Sequence, residues 1–375
     1  AIVITTKKGR EGKVELQVTS NTEVQTAMKL PEFQNRYGNV EGTATSWGPL
    51  LTGRDRLGYK PGKDFLQSGV VGTETVSLSV GNSRNQVYAS VGAVDSRGII
   101  PNNGYHRYNA SIRNTTSFLD DKLHLDLSAQ YIKQKDLNMI NQGIYGNPLV
   151  AAYLYPRGED WRYAKMFETY DAERKISLQN WEWTGKGGIE WDNPYWTQYR
   201  IIRKNNRDRY MISGGLTWDI LDWLKVSGRI RLDNTDNTFT DNTYASTNPT
   251  ITEGSSNGYL NIEESAQRQL YADVLLSANK TWNDWSLGAN FSASISDMKT
   301  RLMQVRGGIR EDGLPNVFAI QQLDKNTLIP IQSGWWERTE SVLGSLEVGY
   351  KGAYYLTLTG RNDWPSQLAG PHSVQ

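Results

Sequence analysis

Hydrophobic residues fall on every second position through long stretches of this chain. Residues 224–232 read Leu-Lys-Val-Ser-Gly-Arg-Ile-Arg-Leu. A β-strand sends successive side chains to opposite faces. Leu224, Val226, Ile230 and Leu232 therefore share one face, and Lys225, Ser227, Arg229 and Arg231 share the other. The same alternation sets Leu123, Leu125, Leu127, Ala129 and Tyr131 against His124, Asp126, Ser128 and Gln130. It sets Trp285, Leu287, Ala289, Phe291, Ala293 and Ile295 against Ser286, Gly288, Asn290, Ser292 and Ser294. Leu356 and Leu358 face away from Thr357 and Thr359. The pattern predicts about eleven strands, at 13–27, 73–81, 86–97, 106–118, 122–137, 207–221, 224–239, 266–281, 285–303, 336–350 and 353–364. Only 161–175 offers a short helical candidate.

The connections alternate in length. Long ones cover 28–72, 98–105, 138–206, 240–265 and 304–335. Between them lie brief turns, such as Leu119-Asp120-Asp121, Asp222-Trp223, Asn283-Asp284 and Lys351-Gly352. All short turns then fall at one rim of the sheet and all long loops at the other. An outer-membrane barrel has this anatomy, and a soluble sandwich has no reason to keep it. Phe118, Trp218, Trp223, Trp282, Trp285, Tyr350, Tyr354 and Tyr355 gather at the short-turn rim. They fit an aromatic girdle at a membrane boundary; hydrophobic plugging of a barrel or sandwich end is the alternative.

Composition supports this picture and removes others. The chain of 375 residues holds 13 Trp and 20 Tyr against 7 Phe, so amphipathic rings dominate. Such rings suit boundaries that are apolar at one end and wet at the other. No run approaches the roughly 18 to 20 apolar residues of a membrane helix; strands escape that test because their signal averages out. With no cysteine, disulfide frameworks, thiolate metal sites and thiol nucleophiles are excluded. Lys+Arg is 41 and Asp+Glu is 40. This balance argues against a nucleic-acid partner recruited by bulk charge. The three histidines, His106, His124 and His372, have no metal-ligand spacing and no matching nucleophile. No metal and no cofactor is expected.

Candidate chemistry lies in the loops and on the inner face. Trp47, Trp161, Trp181, Trp183, Trp191, Trp196, Trp335 and Trp336 are candidate substrate-binding residues, because flat rings stack on sugar faces. The alternative is that they pack the loops together or meet a partner protein. Lys225, Arg229 and Arg231 are expected to line a lumen, where Arg229 contacts a plug or the solute path. Asp160, Glu182, Glu190 and Asp192 resemble a glycosidase acid pair only loosely. The oxygen-rich run Asp233–Asn242 lacks the glycine and terminal glutamate of an EF-hand, and reads as a solvated strand end.

Four stretches, in order, resemble the SusC/RagA family of TonB-dependent outer-membrane transporters. They are Ala1-Ile2-Val3-Ile4-Thr5-Thr6-Lys7-Lys8-Gly9, Lys63-Asp64-Phe65-Leu66-Gln67-Ser68-Gly69, Gly98-Ile99-Ile100-Pro101-Asn102 with Tyr108-Asn109, and Tyr355 to Trp364. The resemblance covers about 1–366. It implies an all-β fold: a transmembrane antiparallel β-barrel, of which about eleven strands of an expected 22 are present, enclosing a plugged lumen. Residues 1–12 would be the C-terminal end of the plug domain and its linker, 13–366 the first half of the barrel with long extracellular loops, and 367–375 an irregular tail.

The function implied is energised import across the outer membrane of a Gram-negative, Bacteroidetes-like bacterium, with no bond of the substrate broken. The implied partners are a SusD-like surface lipoprotein, TonB acting through a region N-terminal to this sequence, outer-membrane lipid, and an oligosaccharide or oligopeptide substrate. Oligosaccharide is the expected class. A passive porin or adhesin barrel, and a soluble carbohydrate-binding or hydrolysing β-protein, are the competing readings.

Overall fold

A computed structural model describes residues 7, 9–52, 60–186 and 190–368. Eleven strands form one antiparallel sheet in which each pairs with its neighbours in sequence, interrupted only by a hairpin inside one loop. The sheet strands are β1 (Gly12–Gln25), β2 (Gly69–Gly81), β3 (Asn85–Arg97), β4 (Gly104–Phe118) and β5 (Leu123–Leu137). After the loop hairpin β6 (Glu168–Asp171) and β7 (Ile176–Gln179) come β8 (Ile201–Leu221), β9 (Leu224–Tyr244), β10 (Gly258–Trp282), β11 (Trp285–Gly308), β12 (Ile329–Tyr350) and β13 (Tyr354–Pro365). No helix among the described residues is long and apolar enough to cross a membrane. The fold is a transmembrane antiparallel β-barrel architecture of which these strands form a continuous wall.

Directly opposed residues of an antiparallel pair share a face, so the register assigns every side chain to one side. Ile230 opposes Gly214 and Ala272, Ala272 opposes Ile295, and Gly214 opposes Leu127. This face carries Ile112, Ile212, Leu216, Phe291, Leu346 and Leu358, all exposed. Ile230 is 54% exposed and Val274 57%, with no second layer over them. Leu224, Val226 and Leu232 share the face. On β11 the apolar outward run goes from Trp285 to Ile295. At about 3.3 Å per residue and a tilt near 40°, that run covers the ~25 Å apolar band of an outer-membrane barrel.

The short-turn rim closes the band with outward rings. Phe118, Trp218, Trp282, Trp285 and Tyr354 are exposed there, and Trp285 packs on Tyr350 with ring centroids 4.7 Å apart. Tyr355 belongs to the opposite face by register, since its neighbours Tyr354 and Leu356 point outward. Asn283 at φ 48 and Gly352 at φ 63 take the left-handed conformation that such tight turns need. Outward charges sit toward the margins: Lys280 reaches back over the Trp223 ring at 5.0 Å, and Glu340 lies one outward step below Arg338.

Where sequence and structure differ, the strands are longer toward the loops. β8 begins at Ile201 rather than 207, β9 runs to Tyr244 rather than 239, and β10 begins at Gly258 rather than 266. Above the bilayer both faces meet water, so the ladder continues without alternation in hydrophobicity. The run Asp233–Asn242 is thus mid-strand, paired on both sides by β8 and β10, and not a strand end. The helical candidate at 161–175 resolves into a five-residue helix, Trp161–Lys165, followed by β6. The opening Ala1–Thr6 and the segment 369–375 lie outside the described residues.

Charge placed in the band centre should be costly. Val274→Arg in the full-length protein is expected to lose about 2–4 kcal/mol of folding free energy in bilayers, whereas Ser227→Arg on the opposite face should lose little. Equilibrium unfolding from lipid vesicles, followed by tryptophan fluorescence, measures both.

Candidate functional site

The inward face is polar and concave. A cavity of about 1130 Å³ is lined from β4 across to β10 by Arg113, Asp126, Ser213, Arg229, Arg231 and Gln269, among others. The charges on this wall are cross-linked between strands. Arg113 Nε donates to Asp126 Oδ1 at 2.8 Å, and Arg209 Nε to Asp233 Oδ1 at 2.8 Å. Arg229 Nε donates to Asp273 Oδ2 at 3.0 Å, with Asp273 almost fully buried, and Lys225 Nζ meets Asp219 Oδ1 at 3.0 Å. Buried or half-buried charges persist in this way only when paired. Ser128 and Ser213 share a hydroxyl bond of 2.7 Å across β5 and β8.

Two of the three expected lumen residues are therefore held by their own wall. Lys225 is bound to Asp219, and Arg229 meets Asp273 within the sheet. Arg231 is exposed to the cavity and has no ion pair among the described residues. Groups of His, Cys, Asp and Glu arranged to hold a metal are absent among the described residues. The carboxylates of the oxygen-rich run are spent on Arg209, Asn234 and Arg203.

At the far rim the loops fold into a compact cap. Residues 138–200 carry α1 (Pro148–Leu154), α2 (Trp161–Lys165) and α3 (Pro194–Arg200), capped by Asn147, Asp160 and Asn193. Each capping side chain accepts from a backbone N–H of the first turn, for example Tyr195 N to Asn193 Oδ1 at 2.8 Å. Four of the expected sugar-stacking tryptophans lie inside this cap. Trp161, Trp183, Trp191 and Trp196 are buried, Trp196 at 0%. Trp161 stands edge-on to Tyr155 at 5.1 Å, and Trp196 Nε1 donates to Thr247 Oγ1 at 2.8 Å. Trp181 is half-buried, edge-on to Trp191 at 5.1 Å, and donates to the Trp191 carbonyl. A buried ring offers no face to a ligand, and Trp161, Trp183 and Trp191 build the loop core together with Phe65 and Ile100, with Trp181 packed against it.

The remaining three tryptophans separate. Trp47 is 71% exposed in the first loop, 5.7 Å from the Tyr37 ring. Trp335 is exposed on the inward face of β12, while the next residue, Trp336, points outward by alternation. Exposed Phe33, Tyr163 and Tyr170 were not singled out by the sequence, because no pattern tells an exposed loop ring from a buried one.

Asp192 is the fixed point of the cap. It accepts from Gln179 Nε2 at 2.7 Å and from the Asn248 N–H at 3.0 Å, joining two loops. Burial pushes its carboxyl up to about 6, against the pull of those two donors. Burial also raises the Tyr155 phenol. Neither Glu182 nor Glu190 hydrogen-bonds Asp192, and Glu190 is bonded to Thr250.

No family model matches the chain. It is 27% identical over 142 residues to the TonB-dependent receptor SusC of Bacteroides thetaiotaomicron, a match covering 36% of this chain and 14% of SusC. The structure of the RagAB peptide importer in its closed-closed state superposes with a TM-score of 0.67 at 13% identity, over 96% of this chain and 43% of that one. A further structure of the RagAB peptide transporter gives 0.66 at 12% identity, over 97% and 44%. This chain therefore spans less than half the length of the proteins it matches. At these identities the solved structures show a shared β-barrel fold over part of their length. The relatives are named as a receptor and an importer, not as enzymes.

Two outcomes test the cap. Trp196→Ala should cost about 3–5 kcal/mol of local stability and open residues 138–200 to protease, while Trp47→Ala should leave cleavage unchanged. Because folding raises the Asp192 pKa, the folded cap favours the protonated carboxyl. Its contribution is full below the ordinary carboxylate range and is lost as pH rises through about 6. Protease resistance of the cap should fall between about pH 4 and about pH 7, and Asp192→Asn should flatten that dependence.

Proposed function

We propose that this chain forms part of a transporter that imports oligosaccharides across the bacterial outer membrane, energised through TonB and assisted by a SusD-like surface lipoprotein. The observation that carries the reading is the division of one eleven-stranded wall. It presents a bare apolar band outward and a polar, ion-paired concavity inward, with every short turn at one rim. Such a wall is stable only where hydrocarbon meets its outside and water or a plug its inside. The packed loop cap at the other rim suits capture of a solute and docking of a lid. The exposed rings Trp47 and Trp335, with the hydroxyl- and amide-rich inner face, fit a sugar chain.

Oligopeptide is the second reading. It is favoured by the burial of four of the eight candidate tryptophans and by the similarity to a peptide importer. Calorimetry on the full-length protein with its lipoprotein, against separate glycan and peptide panels, decides between them. Glycan binding is expected; binding of peptides alone would replace the substrate class and leave the transporter reading in place. Uptake of the bound solute should stop in cells lacking TonB, and uptake that persists would favour a passive porin.

A further inference from the structure

The outward face of β10 to β12 carries a cationic cluster immediately beyond the apolar band. Arg268 opposes Lys299 across β10 and β11, and Lys299 opposes Trp336 across β11 and β12. Arg338 donates from Nε at 3.0 Å and Nη2 at 2.9 Å to Asp297 Oδ2, and Trp336 Nε1 donates to the same oxygen at 2.9 Å. The indole is thereby fixed beside two cations: Lys299 Nζ is 5.0 Å from its ring and Arg338 Cζ 5.2 Å. A cleft of about 230 Å³ lies among Arg268, Lys299, Arg338 and Asp297, floored by Leu270 and Ile295.

The single carboxylate in the cleft is taken up by Arg338 and Trp336. Arg268 and Lys299 are exposed and have no ion pair among the described residues. Glu264 and Glu340 share the face without pairing to them. Elsewhere along the same margin, some outward cations are met locally, whereas Lys135 and Lys204 stand exposed without an ion pair among the described residues. Lys133 bonds Asp208 at 3.2 Å, and His106 meets Asp95 at 2.6 Å. What sets β10 to β12 apart is that several cations gather in one cleft above an apolar floor.

We propose that this cleft binds the phosphate of an outer-leaflet lipid headgroup, with Arg268 and Lys299 as its ligands and the lipid's chains lying over Leu270 and Ile295. Arginine and lysine both suit phosphate oxygens, and basic pockets facing a bilayer boundary select anionic headgroups. A tryptophan fixed at that level anchors the interface. Leu270 and Ile295 leave the cleft open to lipid and closed to the lumen by register.

The inference rests on the outer-membrane reading, and the test separates the two. Native mass spectrometry of the full-length protein in detergent, titrated with diphosphorylated lipid A, reads occupancy directly. The double variant R268Q/K299Q should lower occupancy by about tenfold or more, and K133Q should leave it unchanged. Heat-modifiable gel mobility confirms that each variant is folded. Equal occupancy in wild type and R268Q/K299Q, or equal binding of dephosphorylated lipid A, would overturn the headgroup site alone. A full-length protein that stays soluble without detergent and does not enter vesicles would overturn the membrane reading as well.

Discussion

The structure depends on one constraint: backbone N–H and C=O groups facing hydrocarbon must be paired within the protein. A meander of neighbouring antiparallel strands meets it with no crossover, and every strand of the sheet between β1 and β13 finds a partner on both sides. Once the ladder is fixed, the side chains have only two destinations. One residue of slip would carry the Ile230 row to the lumen and the Arg229 row to lipid, an exchange of apolar for charged groups across the band. Register and membrane placement are therefore a single decision.

The inner wall solves a second problem created by the first. Polar groups that face a concavity need partners, and the wall supplies them from adjacent strands. Arg229 and Asp273 are opposed directly, while Arg113 and Asp126 meet on the diagonal. Arg231 is exposed to the cavity without a carboxylate partner among the described residues. The outer surface shows the converse arrangement, with an apolar centre and charges at its margins. On β10 to β12 several of those marginal cations gather in one cleft.

The loop cap has a different basis. It is held by buried aromatic rings, capped short helices and side chains that bind backbone groups of other loops. Asn193 is fully buried and donates to the Ala164 carbonyl at 2.8 Å, while Asp192 ties the same segment to Asn248. This is ordinary globular packing placed above a membrane wall, and it explains why so many tryptophans of the third loop are out of reach of solvent.

Strand number, strand order and the facing of residues such as Ile230 and Arg229 were legible in the sequence, because a two-residue period survives only where one face meets apolar surroundings and the other does not. The turn-side strand ends were legible for the same reason, marked by aromatic rings beside Asn, Asp and Gly. The loop-side ends were not, since above the band water meets both faces and β9 continues to Tyr244 without alternation. Nor could sequence separate Trp47 from Trp196. Both are loop tryptophans, and their burial is decided by contacts such as Thr247, 51 positions away from Trp196. Periodicity is a local property and can be read along the chain; burial in a loop and the meeting of Arg268, Lys299 and Trp336 on one surface arise only when distant segments are brought side by side.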